Sequence, residues 1–338
     1  MECLSPLVSV NMYISVKFPE DQMEYHIVED LEREVVVPKS KTPKDLLVKP
    51  SLDKLLQYML IDWSIVIACW FSLALVNQVL YPLVVLVIAS RFHSFGVILH
   101  DLTHMPLKKK TIKIRVIEVL AGYPIATTVN AMRYHHLRHH KDSCMATDPY
   151  LKPISSNYWL AFLTNVIKSS LLIPFWLIRC FYGVIAFCIP FLRQSYAFVF
   201  LQDKSGRNVT NSKEVIQCAK EDIFQFLFFI GLFTGVLYFF SFKILFLYYI
   251  VPALITGCFS GYRVFKEHSY SEPVNDRKMA TIIQTTKDHN LTGITRFFLA
   301  PRNIGYHIVH HLHPQVAWYA LPELRKWYLR NHPDLYEL

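Results

Sequence analysis

The chain has 338 residues, 53% of them hydrophobic and 14% aromatic with only ten glycines, which excludes an ordinary soluble domain of this length. Its net charge of +9 comes without a basic stripe interleaved with aromatics, which excludes a nucleic-acid partner and leaves Lys and Arg flanking membrane spans as the source. Seven scattered cysteines lack CxxC spacing and read as buried, reduced thiols.

Residues 1 to about 57 mix charges with isolated valines and are punctuated by Pro38, Pro43 and Pro50, so a mostly extended cytosolic arm is expected. No basic stretch precedes a short apolar run near Met1, and no cleaved signal peptide is expected. Ile61 to Leu99 contains only Asp62 and Arg91 as charges, and as one helix these 39 residues would reach about 58 Å, twice the hydrocarbon core. The stretch therefore divides into two spans, about 61–79 and 82–104, at a turn marked by Asn77, Gln78 and Pro82.

Met105 to Lys220 is rich in Lys and Arg, including Lys108, Lys109 and Lys110, which read as topogenic charge or as a dock for an acidic electron carrier or anionic lipid. Within it, Tyr158 to Leu201 is apolar and aromatic but interrupted by Lys168, Pro174, Arg179, Pro190 and Arg193. It either lies in the interface or dips in and out as a hairpin. Two further spans, about 223–240 and 244–262, meet at a turn holding Lys243. Every Lys and Arg except Arg91 and Lys243 then falls on one side, which the positive-inside bias makes cytosolic. Asn208-Val209-Thr210 and Asn290-Leu291-Thr292 fit the glycosylation pattern, but on that face they read as coincidence. No repeat or linker divides residues 58–338, which read as one domain.

Three histidine clusters stand on this side. His100 and His104 are one helical turn apart; His136, His139 and His140 follow HxxHH spacing; His307, His310 and His311 repeat it. On helices each set shares a face. Neutral imidazole suits iron, zinc, copper or nickel. A structural zinc site is satisfied by four ligands, so these eight imply two ions. The Glu and Glu-x-x-His ligands of soluble di-iron bundles are not beside these boxes.

The order HDLTH, HLRHH, HIVHH along an apolar chain resembles the membrane fatty acid desaturase family, from about Arg91 to Pro333. So do Arg91-Phe92-His93, Thr147-Asp148-Pro149, Glu267-His268, Ala300-Pro301-Arg302-Asn303 and Leu321-Pro322-Glu323-Leu324. The resemblance implies an all-α integral membrane protein of about four transmembrane helices with a cytosolic histidine-rich helical cap. It also implies two non-haem irons, dioxygen as co-substrate, and a double bond introduced into the acyl chain of a lipid or thioester. No His-Pro-Gly-Gly haem signature occurs, so electrons are expected from an external donor of ferredoxin or cytochrome b5 type. Selection among unactivated methylenes falls to an apolar tunnel. A lipid or carotenoid hydroxylase or ketolase on the same scaffold is the alternative, and a metal transporter or sensor a remote one. The C-terminus lacks KDEL, which leans toward a bacterial inner membrane.

The resemblance adds His268 as a ninth ligand, with a structural role as the alternative. Four residues are expected behind the ligands. His93 lies seven positions before His100, and Asp101 could orient a neighbouring imidazole. Glu267 precedes His268, while Asn303 could hold a metal-bound water or cap the following helix. His135, His289 and His313 read as structural or interfacial, and His26 and His332 lie outside the motifs.

Overall fold

The structure is a computed structural model describing residues 42–73, 75, 78–107, 109–151, 157–268, 273–274, 282, 285–289 and 291–333. The arm up to position 41, with His26, lies outside these residues, as do Lys108 and Asn290. The regular secondary structure among the described residues is helical, apart from one isolated bridge between His268 and Thr286.

Helix α1, Leu52–Leu73, begins two residues after Pro50, nine positions before the predicted span and inside the expected arm. Its buried residues Leu55, Met59, Asp62 and Val66 recur every three or four positions, so the inward stripe starts before the uncharged stretch does. Helix α2, Tyr81–Thr103, has Pro82 in its first turn, where a missing N–H costs nothing. The only two charges of the apolar stretch pair with each other: Arg91 donates to buried Asp62 at 3.0 Å, and Arg302 adds a second bond at 2.7 Å. Ser94 donates to the other carboxylate oxygen at 2.6 Å. Replacing Asp62 by Leu strands two guanidinium groups and is expected to cost about 3–5 kcal/mol. Thermal unfolding in detergent beside Asp62→Asn measures it, and an unchanged midpoint for the leucine variant would contradict the pairing.

A short helix α3, Ile112–Ile117, runs through a π-helical turn toward α4, Val129–Lys141. Helices α5, Tyr158–Ser170, and α6, Leu172–Cys188, form a pair bent by 46°. Next come α7, Arg193–Phe200; α8, Lys213–Phe239; and α9, Phe242–Glu267, the last with a π-helical turn at Phe246–Ile250. Helices α10, Gly293–Leu299, α11, His307–Leu312, and α12, Leu321–Asn331, complete the chain. Helices α1, α2, α8 and α9 are long and apolar enough to cross a membrane.

Helix α8 starts ten residues before its predicted span because its first turns pack against α4 instead of crossing. Ser212 caps it, and Val215, Cys218 and Ala219 share a buried cluster with Ala131 and Tyr134. The contacts of the α5–α6 pair bear on the alternative left open by sequence. Tyr158 at its start meets Phe265 near the end of α9, with ring centroids 5.2 Å apart. A Cβ at Gly257 or Gly261 would run into Ser169, so glycine is what lets α5 lie close along α9. Asn165 Nδ2 donates to the Gly261 carbonyl at 2.6 Å. Helix α6 then returns: Gly183 abuts Asp222, and Ala186 joins the cluster at the start of α8. Both ends of the pair meet residues at the histidine end of the bundle, as a re-entrant pair would have them.

Candidate metal centre

Each histidine box is held by a different device. Helix α2 ends at its own box, His100 lying in the last turn and His104 at the C-cap. Thr128 caps α4, its Oγ1 accepting the Ala131 N–H at 3.1 Å, and the helix carries His136, His139 and His140. Helix α11 is only six residues long, too short to be stable alone. Asp288 fixes it, with Oδ1 accepting the Ile308 N–H at 2.8 Å and Oδ2 accepting Arg325 Nε at 2.7 Å. The preceding turn places Arg302 and Asn303 at φ 58° and 60°, a conformation costing roughly 1 kcal/mol or more for a residue such as Arg302. The Arg302 ion pair to Asp62 and its stacking on Tyr58, 4.4 Å from the ring centroid, hold that turn.

The nine histidines named from sequence converge in two groups. His100, His104, His136, His140 and His310 form one; His139, His268, His307 and His311 form the other. Within each group the ligand atoms lie within 4.8 Å of one another. Each HxxHH box is divided between the groups. His136 and His140, one turn apart, face the first while His139 faces the second; His307 and His311 face the second while His310 faces the first. The groups adjoin, with the rings of His140 and His311 4.4 Å apart.

In seven of the nine histidines, all but His100 and His139, Nε2 atoms point at Nε2 atoms. The separations are 2.9 Å for His104 to His136, 3.0 Å for His136 to His140 and 2.9 Å for His140 to His310. In the second group they are 3.0 Å for His268 to His307 and 3.1 Å for His307 to His311. Two nitrogens at right angles about one ion, each about 2.1 Å from it, are about 3.0 Å apart. A neutral imidazole has one N–H, so a run of nitrogens this close suits a shared cation better than hydrogen bonding. Burial and neighbouring imidazoles push His136, His140, His307 and His310 well below the usual histidine range, and burial with the Arg133 charge takes His104 to about 3. All are then neutral, the form that binds metal. The residues fit two ions.

Three carboxylates stand behind the imidazoles. Asp148 accepts from His139 Nδ1 at 2.8 Å, Asp101 Oδ1 lies 3.5 Å from His100 Nδ1, and Glu267 Oε2 lies 3.6 Å from His307 Nδ1. The Asp148 bond fixes the His139 tautomer and aims its other nitrogen at a metal, whereas the other two contacts are longer than hydrogen bonds. Asp101 also accepts the Trp318 N–H at 2.9 Å, and Glu267 faces Arg263 and His289.

Asn303 does not cap the helix. Its amide donates to the Trp318 carbonyl at 3.2 Å, and Asp288, twenty residues before Ile308, supplies the cap instead. His93 stands apart from both groups, with Nδ1 3.4 Å from the Phe298 carbonyl. His135 is buried beside Trp176 and Tyr150, and burial with the nearby Arg179 charge lowers it to about 3. His313 shares a 2.7 Å hydrogen bond with Tyr328. Sequence reasoning missed the roles of Asp148 and Asp288, because nothing in nine- and twenty-residue separations across turns signals a contact.

A cavity of about 1020 Å³ runs beside both groups. His100, His136, His139, His268 and His307 open on it, and its walls include Phe92, Gly96, Val97, Met132 and Trp176.

Comparison with known proteins agrees with this geometry. Residues 53–337 match the sequence model of the fatty acid desaturase family. The chain is also similar to dihydrorhizobitoxine desaturase of Bradyrhizobium elkanii, at 26% identity over 280 residues, covering 80% of this chain and 73% of that protein. The match spans most of the chain and every histidine of both groups, and the protein belongs to the fatty acid desaturase family, as an oxidoreductase.

Proposed function

We propose that the protein is a membrane-bound, oxygen-dependent desaturase that places a double bond in a fatty acyl chain. The observation that carries this is one apolar cavity opening on histidines of both groups, so an extended chain in it passes the whole centre. Two non-haem irons held by the nine histidines would supply the oxygen chemistry, taking two hydrogens from adjacent carbons. Dioxygen is reduced to two waters by those two hydrogens with two electrons and two protons. The electrons come from an external carrier of ferredoxin or cytochrome b5 type.

The protein's own part is geometric. Phe92, Val97 and Met132 press on a substrate that offers nothing to hydrogen-bond, and Gly96 leaves width beside His100. Asp148 keeps the His139 Nδ1 proton in place so that Nε2 faces the ions, while Asp101 and Glu267 stand beside His100 and His307 without bonding them. With α8 and α9 as two crossings and the α5–α6 hairpin as none, box two and box three share one side, which charge bias makes cytosolic. A lipid profile of a host expressing the chain, with double bonds located by derivatisation, is the test. A new unsaturation is expected; a new hydroxyl with no double bond would favour the hydroxylase alternative.

A further inference from the structure

His139 reaches the second group from the last turn of α4 with one bond behind it. Nδ1 donates to Asp148 at 2.8 Å, and its buried Nε2 makes no hydrogen bond among the described residues, which leaves that nitrogen for an ion. Asp148 does not stand on the helix. It lies in the turn that follows, so the bond lasts only while that turn keeps its place against α4.

A later segment braces the two. Gln202 has φ 56°, a conformation rare outside glycine, and the chain turns a corner there. Beyond it, adjacent residues reach two elements. Asp203, buried, accepts the Tyr134 hydroxyl of α4, while the Ala197 carbonyl holds its N–H at 3.0 Å. Lys204, 56 residues after Asp148, donates from Nζ to the Asp148 carbonyl at 2.7 Å and to the Leu151 carbonyl at 3.2 Å. One arm thus grips the helix that carries His139, and the other grips the residue on which His139 leans. Lys204 is exposed, so it fills no space in the core; what it brings to the turn is a charge-assisted pair of bonds.

We propose that Lys204 is a positioning residue for the four-histidine site: by holding the Asp148 and Leu151 carbonyls it keeps the Asp148 carboxylate against His139, and so sets how tightly that site holds its ion. This rests on the two-ion reading of the centre and not on the reaction carried out there.

The test compares Lys204→Met, which keeps an unbranched stem but loses the ammonium, with Lys204→Arg, whose guanidinium can still donate to both carbonyls. In the metal-free full chain, purified in detergent, hydrogen exchange reads the brace by itself. The Cys144 and Tyr150 N–H groups bond to the Asp148 carboxylate at 2.7 and 2.8 Å. Lys204→Met should speed exchange across 143–151 by about fivefold while α2 and α9 exchange as in the native protein, which shows that the variant is folded. Mössbauer titration with iron-57 then reads the sites. Lys204→Met should weaken iron at the four-histidine site by about fivefold, less than loss of the carboxylate itself because it acts one bond further away, and leave the five-histidine site as it was. Lys204→Arg should recover most of both effects. Added to Asp148→Ala, Lys204→Met should weaken iron no further, since the group it acts through is gone. Losses that add, losses that fall equally on both sites, or iron binding that does not change would each overturn the proposal. Faster exchange in the variant of a protein whose native form takes up no iron would overturn the two-ion reading alone.

Discussion

His310→Ala is expected to abolish turnover and to lower iron content by about half, while the protein stays in the membrane. His310 is 1% exposed, its Nε2 lies 2.9 Å from that of His140, and its ring is 4.5 Å from that of His100. It is also the one member of the first group supplied by box three, so its loss uncouples α11 from that site. The scaffold does not depend on it, since α11 is fixed by Asp288 and by the buried residues Ile308, Val309 and Leu312. Metal analysis of purified protein and the host lipid profile read the two effects separately. Full activity with full iron would remove His310 from the centre.

The histidines were legible because their chemistry is local: HxxxH and HxxHH spacing needs only helical periodicity to put imidazoles on one face. Their division into five and four was not legible, because it depends on how three helices are rotated against one another. The spans could be read from apolarity, but the true starts of α1 and α8 could not. Leu55 and Val215 belong to inward stripes that continue into charged sequence, where hydropathy falls and burial does not. The Asp62–Arg91 pair was visible only as two charges in an apolar run; that they meet requires α1 and α2 to be antiparallel in one register. That α5 lies along α9 depends on Gly257 and Gly261 facing Ser169, a contact between distant segments that no local pattern announces.

Asp148→Ala is expected to weaken iron at the four-histidine site by about 10- to 100-fold and to leave the five-histidine site much closer to its original affinity. Asp148 is 1% exposed and serves two functions with one carboxylate. Oδ1 accepts His139 Nδ1 and the Tyr150 N–H, both at 2.8 Å, while Oδ2 accepts the Cys144 N–H at 2.7 Å. The Tyr150 ring then stacks on His139, centroids 4.2 Å apart, so the imidazole is held at its edge and on its face. His139 reaches the second group from a helix whose other two box histidines face the first, and it therefore depends most on outside support. Asp148→Asn separates charge from shape: its amide oxygen can still accept from Nδ1, and it should recover part of the lost affinity. Mössbauer spectra of iron-57 protein, resolved into two components across an iron titration, measure each site. Equal weakening of both would mean that Asp148 supports only the loop, because a purely structural role gives no reason for the damage to follow the ligand it touches.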